Sequence, residues 1–372
     1  MNNIPQDILD IKEKKRNNLF KWNGQFSPQL IEALLDVYSR DSFTVLDPFS
    51  GSGTVLYECA RKGIRSIGVD INPAANKISK VYELCNISIR YRNKLLKNFD
   101  QINYIKETTD CNILLFSMQP KNKYSKIIKD ALIILVDGIS DINKYHKKFS
   151  DFKSVIAELP YSKKHIKCFH GDCRNIPIKG SSIDLVITSP PYVNVFNYHQ
   201  QYRKHTELLG HDILKIAKSE IGSNRKHRQN RFMTLTQYCQ DITQAINEMK
   251  RVCKNGSRII LIVGKSSTIK GVKIYNGEVV KKIATSLGLE LILDQNRKFK
   301  NKFGQEIIED IIHFKNIKDK NLEIKNIDFI ATSIAATELK KAYKSSINEK
   351  VATEIETAIN KIGVTIGSPI HY

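Results

Sequence analysis

A short apolar run, Phe43-Thr44-Val45-Leu46, gives way to Asp47-Pro48-Phe49-Ser50-Gly51-Ser52-Gly53-Thr54, after which a helical pattern begins. This succession of strand, two-glycine turn and helix restricts the possible fold more than any other segment. Gly51 and Gly53 permit positive φ and let a ligand approach the backbone closely. From Thr54 to Arg61, residues Val55, Leu56, Cys59 and Ala60 share one face of a helix, and Gly63 supplies a stop. A second strand runs from Ser66 to Ile71, and Asn72 with Pro73 reads as an N-cap followed by the first helical residue. Farther along, the pattern predicts strand 183–188, a helix around 236–251, strand 258–263, a helix around 278–287, and strands near 289–294 and 307–314. Strands alternating with helices predict an α/β fold, a parallel sheet covered on both faces.

A second turn follows Ile183-Asp184-Leu185-Val186-Ile187, where the chain reads Thr188-Ser189-Pro190-Pro191-Tyr192. Two prolines fix the backbone there as a rigid corner, with an aromatic ring beside it. Ligands of open α/β sheets bind beyond the carboxyl ends of strands, where both turns fall. Asp70 ends the next strand about 23 residues after Asp47, the usual place for an acid that binds ribose hydroxyls. Residue 56 is leucine, so G-x-G-x-x-G is absent and a ligand without phosphate fits better than a dinucleotide. In Phe169-His170-Gly171-Asp172-Cys173, the Asp172 carboxylate can accept from an adenine amino group while the Cys173 amide donates to a ring nitrogen. Each acid also suits a turn or a helix cap.

The chain of 372 residues carries 59 Lys and Arg against 38 Asp and Glu, a formal charge of +21. That balance favours a polyanionic partner, although lysines that merely solvate helices give the same excess. Amides, aromatics and cations interleave from Asn197 and Tyr198 to Arg203 and Lys204, as nucleic-acid contacts require. The stretch holding Lys215, Lys218, Arg225, Lys226, His227, Arg228 and Arg231 is strongly basic, and Gly222-Ser223-Asn224 reads as a flexible loop within it. It suits phosphate contact; Arg225 and Arg228 equally suit guanine edges, and a merely solvated loop is the plain alternative. Seven cysteines show no C-x-x-C pair, so neither a zinc site nor a disulfide framework is expected, and reduced thiols imply a cytoplasmic location. Residues 1–15 lack the apolar core of a signal peptide, and no apolar run approaches ~18 residues, so no membrane association is expected.

The organisation read from these patterns is a catalytic domain formed by 1–80 and 166–316, an inserted and mostly helical lobe at 81–165, and a helical C-terminal extension at 317–372. No internal repeat is visible.

Phe49-x-Gly51-x-Gly53 after Asp47-Pro48, together with Ser189-Pro190-Pro191-Tyr192, resembles the DNA amino-methyltransferases, which modify cytosine N4 or adenine N6. The resemblance covers roughly residues 20–315. Lys21-Trp22-Asn23-Gly24-Gln25-Phe26-Ser27-Pro28 is similar to the family's N-terminal motif, which closes over the methionine end of the cofactor. The resemblance implies a Rossmann-like methyltransferase fold, a seven-stranded and mostly parallel sheet with its final strand reversed. It implies S-adenosylmethionine as cofactor, held by Phe26 and Pro28 at the pocket wall, and by Asp47, Pro48, Phe49, Gly51, Gly53 and Thr54 at the amino-acid end. Asp70 would hold ribose, and Asp172 with Cys173 would meet adenine.

The same likeness implies the chemistry. An exocyclic amino group is a poor nucleophile because its lone pair is delocalised into the ring. Ser189 and the Pro190 carbonyl would grip its protons, with positioning supplying most of the acceleration. Tyr192, beside Pro191, would stack on a base flipped out of duplex DNA. Serine at 189 points toward cytosine N4, since Asp or Asn there is typical of the adenine-N6 members. Cytosine carbon-5 chemistry is disfavoured, as no Pro-Cys dipeptide occurs. The order of motifs excludes the family's permuted arrangement, and the 81–165 lobe does not sit where its recognition domain usually does. The leading expectation is thus a site-specific methyltransferase acting on double-stranded DNA, the modification half of a restriction–modification system. A second copy of the chain and a cognate restriction endonuclease are its candidate partners. An adenine-N6 enzyme, an RNA base amino-methyltransferase and a non-catalytic DNA-binding subunit remain open; a protein-glutamine methyltransferase fits the charge less well.

Overall fold

The computed structural model describes residues 3–194, 197–223, 227–300, 304–317 and 327–371. Its main sheet has seven strands: β1 (Thr44–Asp47), β2 (Arg65–Asp70), β3 (Ile166–His170), β4 (Ile183–Thr188), β5 (Cys253–Gly264), β6 (Leu289–Lys300) and β7 (Glu306–Asn316). In space they lie in the order β3-β2-β1-β4-β5-β7-β6. The first five are parallel, whereas β7 runs antiparallel between β5 and β6. The order reverses at β1, so β2 and β4 flank it, as the pairs Leu46–Ile67 and Leu46–Val186 show. A crevice at the carboxyl ends of these three strands follows from that topology.

Four helices of the first half of the chain frame the site. They are α1 (Pro28–Tyr38), α2 (Thr54–Lys62), α3 (Pro73–Ser79) and α4 (Lys123–Leu135). Gly53 enters α2 at φ +85 and Gly63 leaves it at φ +66, conformations that a side chain would strain. Asn72 caps α3 by accepting from the amides of Ala74 and Ala75, ahead of Pro73 at the first position. Central strands are buried on both faces: all four residues of β1 are buried, and Ile259, Ile260, Leu261 and Ile262 of β5 are fully so.

Helices fill the 81–165 region, and they do not form a separate body. Leu132, Ile133, Phe149 and Phe152 share one apolar cluster with Leu56 and Ala60 of α2 and with Ile166 and Cys168 of β3. Beyond β4 the chain forms α5 (Ile213–Ser219), α6 (Met233–Val252) and α7 (Asn276–Ser286). After β7 come α8 (Ile327–Lys344) and α9 (Glu349–Asn360). Far from hanging loose, α8 buries Ala331, Ala335, Leu339 and Ala342 in the cluster built by α6, α7 and the sheet. Its row of alanines lets it approach closely. No helix among the described residues is long and apolar enough to cross a membrane.

Candidate active site

Both sequence-marked turns open onto one cleft, whose volume is about 840 Å³ with its mouth included, within the range of small-molecule sites. The glycine turn contributes Pro48, Phe49, Ser50, Gly51 and Ser52, and the second corner contributes Ser189 and Pro191. The two strand ends are tied by a hydrogen bond in which Thr188 Oγ1 donates to Asp47 Oδ1 at 2.6 Å. The Phe49 amide donates to the same oxygen at 3.2 Å. Burial pushes the Asp47 carboxyl up to about 7, against the pull of those donors. Asp47 is thus a brace behind the cleft and does not line it; Pro28, Gly53 and Pro190 also lie outside the lining. Gly53 is needed for space: a Cβ there would come within 2.7 Å of the Tyr82 ring.

The N-terminal segment closes one end. Trp22, Asn23, Gly24, Gln25 and Phe26 line the cleft. The Trp22 ring lies so near Gly51 that a Cβ there would be 3.1 Å from it. Ser52 donates to Gln25 Oε1 at 3.0 Å, and Thr54 to Asn18 Oδ1 at 2.8 Å, which sews the segment to the glycine turn.

Asp70 faces the cleft from the end of β2. Its Oδ2 accepts from the Gly51 amide at 2.7 Å and its Oδ1 from the Asn72 amide at 2.8 Å. One lone pair on each oxygen is left for a ligand hydroxyl. Burial pushes its carboxyl up to about 6 despite both donors, and the nearby Glu220 carboxylate adds to the rise.

Asp172 differs from its expected role. Although it borders the cleft with Cys173, its carboxylate is spent on the protein. Oδ1 accepts from the Arg174 amide at 3.0 Å and from Arg174 Nε at 2.9 Å. Oδ2 accepts from Arg174 Nη2 at 2.6 Å and from the His371 amide at 3.1 Å. Four acceptor directions therefore have four donors, and an adenine amino group finds none left. Arg174 also reaches Asp241 Oδ1 at 2.9 Å and the carbonyls of Ser219, Ser368 and Pro369. The segment 368–371 brings two of these partners and the His371 amide from the far end of the chain, which no local reading of Gly171-Asp172-Cys173 could supply.

At the second corner, Ser189 lines the cleft whereas Tyr192 does not. The Tyr192 ring packs on Gly264 at the end of β5, where a Cβ would lie 2.8 Å from it. Its hydroxyl donates to Glu309 Oε1 at 3.4 Å and lies near the Ser189 side chain. Burial, then the Glu309 charge, raises the phenol's pKa. Glu309 in turn accepts from Arg297 Nε at 2.8 Å. Of the two tyrosines it is Tyr198, which the sequence suggested as a DNA contact, that lines the cleft; burial, followed by Asp70 and Glu220, raises its phenol.

The other expected DNA contacts divide. Lys204 and Arg228 are exposed. Arg203 is paired with Glu207 at 2.8 Å, and Arg231 donates to Asn194 Oδ1 at 3.2 Å, which holds the corner's own backbone neighbour. Asn197 Oδ1 accepts from Ser223 at 3.0 Å. Arg225 and Lys226 lie outside the described residues. Gly222 and Ser223, expected in a flexible loop, are buried: Gly222, at φ +71, sits where a Cβ would meet the Tyr192 carbonyl at 2.3 Å.

Sequence reasoning missed Ser219, Glu220 and Ile221, which line the cleft from the segment after α5. Their signal was masked by the lysines and arginines around them. Among the described residues, the lining holds three carboxylates (Asp70, Asp172 and Glu220) and no Lys, Arg or His, in a chain of net charge +21.

A sheet in this order, with its last strand reversed and a cleft over its central carboxyl ends, defines the class of Rossmann-like methyltransferase folds. The chain is similar to several known proteins. Residues 4–81 match a family described as DNA methylase. Type II methyltransferase M.AvaI of Nostoc sp. is 23% identical over an alignment that covers 59% of this chain and 59% of that protein. M.MjaII of Methanocaldococcus jannaschii is 22% identical, covering 82% of each. A solved S-adenosylmethionine-dependent methyltransferase from Methanosarcina mazei is 11% identical and aligns 77% of this chain with 98% of its own at a TM-score of 0.37. The family match at residues 4–81 and the two relatives in sequence are thus all DNA methylases or Type II methyltransferases by description, and it is to these that the chain is similar. The chain spans about 59% of the length of M.AvaI.

Proposed function

We propose that this chain transfers a methyl group from S-adenosylmethionine to the exocyclic amino group of a base in double-stranded DNA, with cytosine N4 as the target. The observation that carries the reading is the shared cleft: glycine turn and Ser-Pro-Pro corner border one cavity whose lining, among the described residues, has carboxylates and no cation. Such a lining suits a ligand bearing a sulfonium and an ammonium, and disfavours one bearing phosphates. When bound, the cofactor supplies an electrophilic methyl group. Phe26 and the glycine turn would hold its amino-acid end, and Asp70 its ribose hydroxyls. Asp47 acts behind them by fixing the turn to the corner through Thr188.

Ser189 and the Pro190 carbonyl accept from the amino group of the base and so favour a pyramidal nitrogen with its lone pair exposed. Tyr192 serves that step indirectly in this reading, as the packed neighbour of Ser189, while Tyr198 offers a ring beside the cleft. Lys204, Arg228 and the basic stretch through Arg225 and Lys226 would follow phosphates. Serine rather than a carboxylate at 189 favours cytosine over adenine, and the relatives' designation as Type II methyltransferases supports a place in a restriction–modification system. Expression in a host lacking other methylases, followed by genome-wide mapping of modified bases, tests the reading. N4-methylcytosine at one recurrent sequence is expected. N6-methyladenine would overturn the cytosine assignment, and label appearing only in RNA would overturn the substrate.

A further inference from the structure

With Asp172 saturated by Arg174 and the His371 amide, the cleft keeps one carboxylate oxygen that is buried and without a partner, Oε1 of Glu220. Glu220 is 5% exposed, and its other oxygen accepts from His199 Nδ1 at 2.6 Å, itself a buried ring. An ionised carboxylate only accepts, so this bond fixes the proton on Nδ1 and holds Glu220 in one rotamer. The side chain follows Ser219, whose carbonyl accepts from the same guanidinium that binds Asp172, and its charge is felt by both Asp70 and Tyr198. It lines the same cleft as Asp70, at the end of β2, and Asp172, just after β3, where the nucleoside part of a ligand held by Asp70 would lie. A buried acceptor with no donor costs free energy until a ligand supplies one.

We infer that Glu220, positioned by His199, is the residue that accepts the hydrogen bond from the 6-amino group of the cofactor's adenine, in the place expected of Asp172. The inference rests on the cofactor reading above. It makes Glu220 a specificity residue for adenine: purines without a donor at that position leave the carboxylate buried and unpaired.

Calorimetry on the full chain separates the possibilities, using S-adenosylhomocysteine, its analogue lacking the 6-amino group and its 2′-deoxy analogue. The wild-type chain should bind S-adenosylhomocysteine at least about tenfold more tightly than the deamino analogue, and Glu220→Ala should shrink that ratio to within about twofold. Glu220→Gln gives a second reading should the alanine variant not fold. There the His199 N–H would hold the amide oxygen and turn the amide nitrogen, a donor, toward the ligand, so the preference should vanish or invert. Unchanged discrimination in both variants would overturn the inference. So would loss of discrimination against the 2′-deoxy compound alone, which would assign Glu220 to ribose. Failure of the wild-type chain to bind S-adenosylhomocysteine at all would remove the cofactor reading itself, and this inference with it.

Discussion

Asp47→Asn isolates the titration of a single buried carboxyl. Both donors that reach Asp47, Thr188 Oγ1 and the Phe49 amide, converge on Oδ1, so the amide oxygen of asparagine can receive them while the charge is removed. The native carboxyl sits at about 7 against an ordinary value of 3.8. An acid whose pKa is raised on folding ionises first in the unfolded chain. The unfolded state then binds fewer protons, and stability falls as pH rises from about 4 until the native carboxyl also ionises near 7. Between pH 5 and pH 7, two pH units at 1.36 kcal/mol each put this loss at roughly 3 kcal/mol, with nothing further above it. Urea unfolding of wild type and variant at pH 5, 6, 7 and 8 measures the difference directly. The variant should gain on the wild type by about that amount across the window, Asp70 contributing equally to both chains. Parallel stability profiles would refute the reasoning, since they would mean that Asp47 is already ionised in the native state at pH 5.

Other perturbations probe other parts of the site. Arg174→Met leaves Asp172 and Asp241 buried without their cation and should cost about 3–5 kcal/mol in urea unfolding; a loss under 1 kcal/mol would show that the cluster is not a structural keystone. Gly264→Ala pushes a methyl group into the Tyr192 ring and should lower methyl transfer about 100-fold while S-adenosylhomocysteine binding is retained, because Tyr192 lies outside the lining. Equal loss of binding would contradict the assignment of that ring to the target side. DNA affinity should fall steeply with salt, and Lys204→Ala with Arg228→Ala should each flatten the slope by about one. A flat wild-type response would dismiss phosphate tracking.

Features set by local chain chemistry were the ones legible in the sequence. Gly51 and Gly53 demand positive φ, Asn72-Pro73 starts a helix, and the apolar runs at 44–47, 65–70 and 183–188 fall where the strands are. At the carboxyl ends of the strands the sequence predicted, one cleft joins the two turns. Residues whose role depends on distant chain were not legible. Asp172 resembles a ligand until Arg174 and residue 371 fill its lone pairs. Glu220 hides in a basic stretch, and only the fold shows that its segment turns inward while Lys215, Lys218 and Arg228 are exposed. The choice between Tyr192 and Tyr198 as the ring beside the cleft likewise hangs on Gly264, sixty or more residues away.

The lining of the cleft is drawn from residues as far apart as Trp22 and Ile221, in seven stretches of chain brought together only by the finished sheet. Loop closure over such separations is among the last gains of folding, so no fragment or early intermediate can present the cavity. Ligand held there stabilises only the completed molecule, by an amount that grows with the logarithm of its concentration. Cellular levels of the methyl donor would thus govern how long each copy resists proteolysis as well as how fast it works.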